Sequence, residues 1–171
     1  MPRRRLPWIL LFLWAAWLFA LQGLAASSAG LGPWTPELGL VLLLALDGRV
    51  SPGRTRLAAC LIAGARIAFS ADPPLAVLAG YLGAVGFSGA LREILDVDRG
   101  LARALLAGVL TLLLVGFWNL SRTLELAAEG LFAPAPGLAW RTAATTAIAT
   151  LCLAPLLLRL PGITPLWRRA R

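Results

Sequence analysis

Arg66 is the residue whose chemistry most clearly demands a partner, because it lies inside an apolar segment. If that segment is a helix in lipid, its guanidinium must pair with an acid or mark a functional position. Asp72 is the nearest acid in the sequence, and Glu37 and Asp47 are further candidates. Alternatively, Arg66 extends its side chain to the membrane surface, since only about 6 Å separate it from the predicted helix end. Both interpretations remain open at this point.

Groups suited to catalysis or metal binding are scarce. The chain has no histidine, and it lacks the GxSxG, HExxH, CxxC and phosphate-loop motifs. Cys60 and Cys152 fall inside apolar runs, where we expect small buried residues rather than a disulfide or a metal site. Asp96 and Asp98 lie in a charged loop, where we expect them to be solvated or paired with neighbouring arginines. The sequence therefore predicts no catalytic residue, no metal and no cofactor, and a protein that is not an enzyme.

A stripe of small residues runs along the predicted fourth helix. Its members are four residues apart and share one face, with Gly83 beside them: Ala76, Gly80, Ala84 and Ser88. Small residues at this spacing let two helices approach closely in lipid. The stripe therefore predicts packing either against a helix of the same chain or against a helix of a partner. A second stripe, on the predicted sixth helix, offers hydroxyls for bonds between helices or to the helix's own carbonyls: Thr142, Thr146 and Thr150.

The composition indicates that lipid surrounds much of the chain. Apolar residues make up 59% and charged residues 14%, against about 45–50% and about 25% in soluble domains. At 171 residues the chain is expected to form a single transmembrane helical domain, 1–171. The net charge of +8 comes from arginines at the ends of apolar runs, which fits membrane topology better than nucleic-acid binding.

Glycine, proline and charged clusters divide the apolar sequence into about six predicted helices. Their approximate bounds are 6–26, 35–46, 55–70, 73–91, 101–120 and 142–160. The fifth is expected to continue as far as Glu129, where Gly130 can cap it, and the sixth to bend at Pro155. The first is either a retained helix or a cleaved signal sequence, since small residues near 24–30 resemble a cleavage site.

The second and third predicted helices are short, roughly 18 Å and 24 Å, against a hydrocarbon core of about 30 Å. A hairpin that turned back within the membrane would leave Arg49, Arg54 and Arg56 in the hydrocarbon, at about 2.5 kcal/mol or more each. We therefore predict that both helices cross, with local thinning of the bilayer or burial behind other helices.

The arginines set the predicted orientation, with both termini in the cytoplasm of a bacterial inner membrane. Thirteen lie on the cytoplasmic side: Arg3, Arg4, Arg5, Arg49, Arg54, Arg56, Arg92, Arg99, Arg103, Arg159, Arg168, Arg169 and Arg171. Arg122 and Arg141 alone lie outside, and this asymmetry matches the positive-inside rule. The tryptophans agree, since these five fall at predicted boundaries: Trp8 and Trp167 inside, and Trp34, Trp118 and Trp140 outside.

The order of these segments resembles a known family. A basic start and a long helix precede "PWTPELGLVLLLAL" at 33–46, and "GARIAFSADPPLAVLAGYLGAV" at 64–85 precedes a charged loop, a fifth helix and a basic tail. This order is similar to that of the bacterial rod shape-determining family MreD, over most of residues 6–160. Many members of that family carry an Asp after the glycine of the third helix, whereas this chain has Gly64-Ala65-Arg66.

The resemblance implies a non-enzymatic membrane component of the cell-wall elongation machinery. Such a protein would bind MreC, act near the enzymes that build side-wall peptidoglycan, and help regulate cell shape by docking helices. An alternative is the substrate-binding subunit of an energy-coupling factor vitamin transporter, which is also a small six-helix protein. The outer loops lack a polar, aromatic-rich cluster that could enclose a vitamin.

Overall fold

The computed structural model describes residues 6–28, 30–47, 50–94, 100–132 and 135–158. Across these ranges the regular structure is entirely helical. Six α-helices and one 3₁₀ turn follow in chain order: α1 (Leu6–Ser28), the 3₁₀ turn (Gly32–Trp34), α2 (Leu38–Leu46), α3 (Pro52–Phe69), α4 (Pro74–Ile94), α5 (Gly100–Ala128) and α6 (Pro136–Leu157). One cluster of buried apolar residues draws on all six helices.

Three of the described helices are long and apolar enough to cross a membrane. They comprise most of α1, α4 and α5, at Pro7–Ser28, Pro74–Arg92 and Leu101–Ala128. Many large apolar side chains on their outer faces are exposed, such as Leu13 at 56% and Leu105 at 51%. Since unpartnered apolar surface of this extent is unfavourable in water, these helices are compatible with a membrane protein, as the composition predicted.

Helix α2 is the buried centre of the bundle. Every residue from Gly39 to Leu46 is buried, and α1, α3, α5 and α6 pack around it. Nine residues give about 13 Å of helix, and this short helix is covered by protein rather than lipid. The predicted start at Thr35 is three residues early, because the chain there forms the 3₁₀ turn and the Thr35 hydroxyl donates to the Gly32 carbonyl at 2.9 Å.

Helices α5 and α6 form the most extensive helix pair. Their close approach depends on glycines of α5, since a Cβ on Gly108 would lie 3.1 Å from Leu151 Cβ. Helix α5 runs unbroken to Ala128, so its predicted continuation towards Glu129 is present, and Gly130 follows with a positive φ of 71°. Helix α6 begins at Pro136, six residues before the predicted start, because proline is well suited to a first helical turn.

Helix α1 is an integral part of the bundle. Leu11, Ala15 and Phe19 are at most 3% exposed, and α1 packs mainly along α3. Its removal would expose the buried side chains of α3 on which it packs.

The expectation that both cysteines are buried is wrong. Cys60 and Cys152 are exposed and free rather than buried. Since α3 and α6 are apolar on both faces, apolar character alone does not separate core from surface. Trp118, expected at the outer membrane boundary, is 1% exposed because it packs against other helices of the bundle.

Several predicted features lie outside the described residues. These are Arg3, Arg4, Arg5, Arg49, Asp96, Asp98, Arg99, Arg159, Trp167, Arg168, Arg169 and Arg171.

Candidate functional site

The carboxylate of Glu37 is the centre of a buried polar cluster. Glu37 directly precedes α2 and is 1% exposed. Its Oε2 atom lies 2.5 Å from Nη1 of Arg66 on α3. Its Oε1 atom accepts a hydrogen bond of 2.7 Å from the hydroxyl of Tyr81 on α4. Both carboxylate oxygens are therefore bound by side chains from different helices.

Further bonds tie the cluster to the remaining helices. Gln22 on α1 donates to Glu37 Oε2 at 3.4 Å and accepts from the Leu38 amide at 3.4 Å. The Glu37 amide donates to the Thr150 hydroxyl on α6 at 2.9 Å. Asp72, in the α3–α4 turn, accepts from Arg66 Nη2 at 3.3 Å. The start of α2 is thus bonded to four other helices, and we call Gln22, Glu37, Arg66, Asp72, Tyr81 and Thr150 the Glu37 cluster.

Aromatic rings enclose the guanidinium of Arg66. Its central carbon lies 4.8 Å from the ring centroid of Trp118 and 5.6 Å from that of Phe19, distances typical of cation–π contacts. The indole of Trp118 is itself held by a bond of 3.0 Å to the Ala76 carbonyl. Arg66 is therefore placed between two acids and two rings, which corresponds to the ion-pair interpretation and not to extension towards the membrane surface.

The charges of the cluster largely compensate one another. Glu37 and Asp72 share the single cation Arg66, and the remaining negative charge faces the Tyr81 hydroxyl and the Gln22 amide. Glu37 also lies at the N-terminus of α2, where the helix dipole favours an anion. The bonds of the cluster therefore join α1, α3, α4 and α6 to the start of α2.

A second polar cluster closes the other end of α2. Asp47 follows the helix, and its Oδ2 accepts a 2.8 Å bond from the Ser88 hydroxyl and lies 3.4 Å from Arg92 Nη2. Arg92 and Arg103 donate to the Asp47 carbonyl at 3.0 Å and 2.9 Å. Cations at a helix C-terminus complement its dipole. Both ends of α2 are therefore fixed by charged side chains of other helices.

The small-residue stripe of α4 faces two directions. Three of its members are buried within the chain: Ala76, Ala84 and Ser88. A Cβ on Gly80 would lie 2.5 Å from Leu114 Cδ1 and 2.7 Å from Trp118 Nε1, so Gly80 packs against α5. Gly83 differs, because it is exposed and a Cβ there would meet nothing within 4 Å. Most of the stripe therefore serves packing within the chain, and the Gly83 face remains open.

An apolar groove of about 320 Å³ runs beside Gly83 between α4 and α5. We call it the α4–α5 groove, and its walls include Ala79, Gly83, Phe87, Leu110, Leu113 and Phe117. The rings of Phe87 and Phe117 are 45% and 43% exposed. The groove can therefore accept apolar side chains from outside the chain.

Comparison with known proteins identifies no relative. No family model, no curated protein and no solved structure matches the chain. Among the described residues, no group of three or more potential metal-ligating side chains is present. What the fold and the site define is thus a class, a helical bundle with three apolar helices long enough to cross a membrane and a buried ionic centre.

Arg66 and Asp72 can be singled out from the sequence, whereas Tyr81, Gln22 and the central position of Glu37 cannot. Arg66 is 29 residues from Glu37, and Tyr81 is 44 residues from it. Glu37 does carry a signal, since it is an acid next to a strongly apolar segment. Tyr81 carries none, because tyrosine is common on ordinary helix surfaces in lipid.

Proposed function

We propose that this protein is a six-span scaffold of the bacterial inner membrane that takes part in cell-wall elongation in the manner of the MreD family and binds MreC. Its mechanism is the docking of partner helices on a rigid bundle. The single observation that supports this most directly is the open Gly83 face beside the α4–α5 groove, in a bundle whose buried charges are already bound to one another. The assignment to the cell-wall elongation machinery rests on the resemblance of the segment order to that of the MreD family.

Two features support the proposal that all six helices cross the membrane: the short helix α2 is covered by other helices, and the charge of Arg66 on α3 is paired. Helix α2 is enclosed by protein, so its length need not match the bilayer. Arg66 of α3 is compensated by two acids, which removes much of the penalty for a charge at depth. Helix α3 has 18 residues, about 27 Å, which is close to a hydrocarbon thickness of about 30 Å.

The distribution of arginines in the structure supports cytoplasmic termini. Arg92 and Arg103 lie together at the C-terminal end of α2, and Arg54 and Arg56 are exposed in the first turns of α3, which follow that end in the sequence. Assigning this end of the bundle to the cytoplasm satisfies the positive-inside rule.

Leucine at Gly83 is expected to weaken copurification with MreC without unfolding the chain. Its side chain would project into open space and fill the approach to the α4–α5 groove, where a partner helix must come close. The measurement is the amount of MreC retained on the tagged full-length chain in mild detergent. The matched control is Gly64→Leu, because Gly64 is also an exposed glycine with nothing within 4 Å but lies on α3.

Leucine at Gly80 is not an equivalent test, because it would collide with Leu114 and Trp118 inside the bundle. Wild-type retention of MreC by Gly83→Leu would count against α4 as the docking face. Equal loss in Gly83→Leu and Gly64→Leu would also count against it. A vitamin that copurifies with the isolated chain would instead support the transport alternative.

A further inference from the structure

A second groove, of about 200 Å³, lies between the C-terminal part of α5 and the N-terminal part of α6. Its polar wall comes from α5, with Asn119, Arg122 and Thr123, and Leu138 and Thr142 of α6 face it. We call it the α5–α6 groove. It is separate from the Glu37 cluster and from the α4–α5 groove, with which it shares no residue.

The groove carries a cation that the described part of the chain does not neutralise. Arg122 is exposed, and the ion pairs among the described residues are formed by Arg66 and Arg92. Glu125, one helical turn further along α5, forms no ion pair with Arg122. The Asn119 amide uses one hydrogen on the Ala139 carbonyl at 3.1 Å, and an amide group has a second to donate. Charge and donors in the groove thus suit an anion.

The position of Arg122 along α5 matches the thickness of a bilayer. Arg103, which binds the Asp47 carbonyl at the opposite end of the bundle, precedes Arg122 by 19 residues on the same helix. At 1.5 Å per residue this separation is about 28 Å, close to a hydrocarbon thickness of about 30 Å. Trp140 is 48% exposed, and its ring lies against Gly116, about 9 Å nearer the middle of α5 than Arg122. If one surface of a bilayer lies at Arg103, its other surface lies near Arg122.

From these observations we infer that the α5–α6 groove binds the phosphate group of a phospholipid headgroup. The guanidinium of Arg122 binds two phosphate oxygens side by side, a geometry for which arginine is well suited. The second amide hydrogen of Asn119 supplies a further donor. This inference does not depend on the partner proposed above, since it requires only that the chain is embedded in a bilayer.

The test uses the full chain in nanodiscs of phosphatidylcholine with a small fraction of photoreactive phosphatidylglycerol. The photoreactive group is on the acyl chain near the glycerol, and adducts are mapped by mass spectrometry of peptides. We expect adducts in segments 119–126 and 138–142, and about a tenfold fall in R122Q, because a hydrogen bond to a charged group is lost. R141Q is the matched control, since Arg141 is exposed on the same end but does not line the groove. It should change labelling by no more than about twofold.

Three results would overturn the inference. Labelling of the two segments that is unchanged in R122Q shows that the groove does not select phosphate. Equal loss in R122Q and R141Q shows general attraction of lipid to a cationic surface. Displacement of the probe by excess inorganic phosphate assigns the groove to soluble phosphate. Should R122Q fail to fold, R122K keeps the charge and is expected to label severalfold less than wild type, because an ammonium cannot bind two oxygens side by side.

Discussion

Replacement of Arg66 by methionine is expected to lower the free energy of unfolding by about 3–5 kcal/mol, the usual effect of removing one partner from a buried ion pair. The Glu37 side chain, which is 1% exposed, would be left with only the Tyr81 and Gln22 bonds. The contacts of the guanidinium with Trp118 and Phe19 would also be lost. Because the Trp118 ring is 4.8 Å from the guanidinium, tryptophan fluorescence during detergent-induced unfolding provides the measurement.

A matched control and a double variant separate charge from packing. Arg54→Met removes an exposed arginine in the first turn of the same helix and should change stability by less than about 1 kcal/mol. The double variant Glu37→Gln, Arg66→Met removes both charges, and a glutamine oxygen can still accept from Tyr81. It should therefore be more stable than Arg66→Met alone. If Arg66→Met were as stable as Arg54→Met, the Glu37 cluster would not hold the bundle together.

The requirement for an intramembrane partner of Arg66 could be derived from the sequence, but the identity of its main partner could not. A charge in an apolar helix needs compensation, and Asp72 is close enough in sequence to be proposed. Glu37 reaches Arg66 only because α2 is inserted between α1, α3 and α6. That insertion depends on the packing of the complete bundle, and no local pattern near residue 37 specifies it.

The helix boundaries show a similar division. Gly130, which follows α5, and the prolines that begin α3 and α6 are local signals of helix ends. The sequence places the start of α2 three residues too early, because a 3₁₀ turn and an α-helix begin with the same residue types. The exposed position of Cys60 was missed for another reason. In lipid, both faces of a helix are apolar, so hydrophobic periodicity loses most of its information.

The two polar clusters lie inside the bundle, and the two grooves lie on its outside. The residues at both ends of α2 form hydrogen bonds with side chains of α1, α3, α4, α5 and α6. On the outside, a Cβ at Gly83 would meet nothing within 4 Å, and Arg122 forms no ion pair with any described residue. A rigid centre with open surfaces is what a scaffold requires, because docking then costs little ordering of the scaffold itself.

Among the glycines of the described residues, Gly39 has the shortest distances from an added Cβ to its neighbours, and Gly39→Ala tests whether α2 is held as tightly as the contacts indicate. The new Cβ would overlap the Tyr81 hydroxyl and the Phe19 ring, with Phe19 Cε1 only 2.9 Å away. Overpacking of a close-packed core costs about 1–3 kcal/mol, and displacement of Tyr81 adds the loss of its bond to Glu37, about 1 kcal/mol.

The matched variant Gly64→Ala adds the same methyl group to α3, where nothing lies within 4 Å, and should be neutral or stabilising by up to about 1 kcal/mol. Unfolding curves of the two variants, followed by tryptophan fluorescence, give the comparison. Both glycines are helical, so the helix preference of alanine contributes equally to both variants. The difference between their free energies of unfolding therefore reports the crowding around α2. Equal stability of Gly39→Ala and Gly64→Ala would mean that α2 can shift within the bundle, and the bonds at Glu37 and Asp47 would then not fix its position.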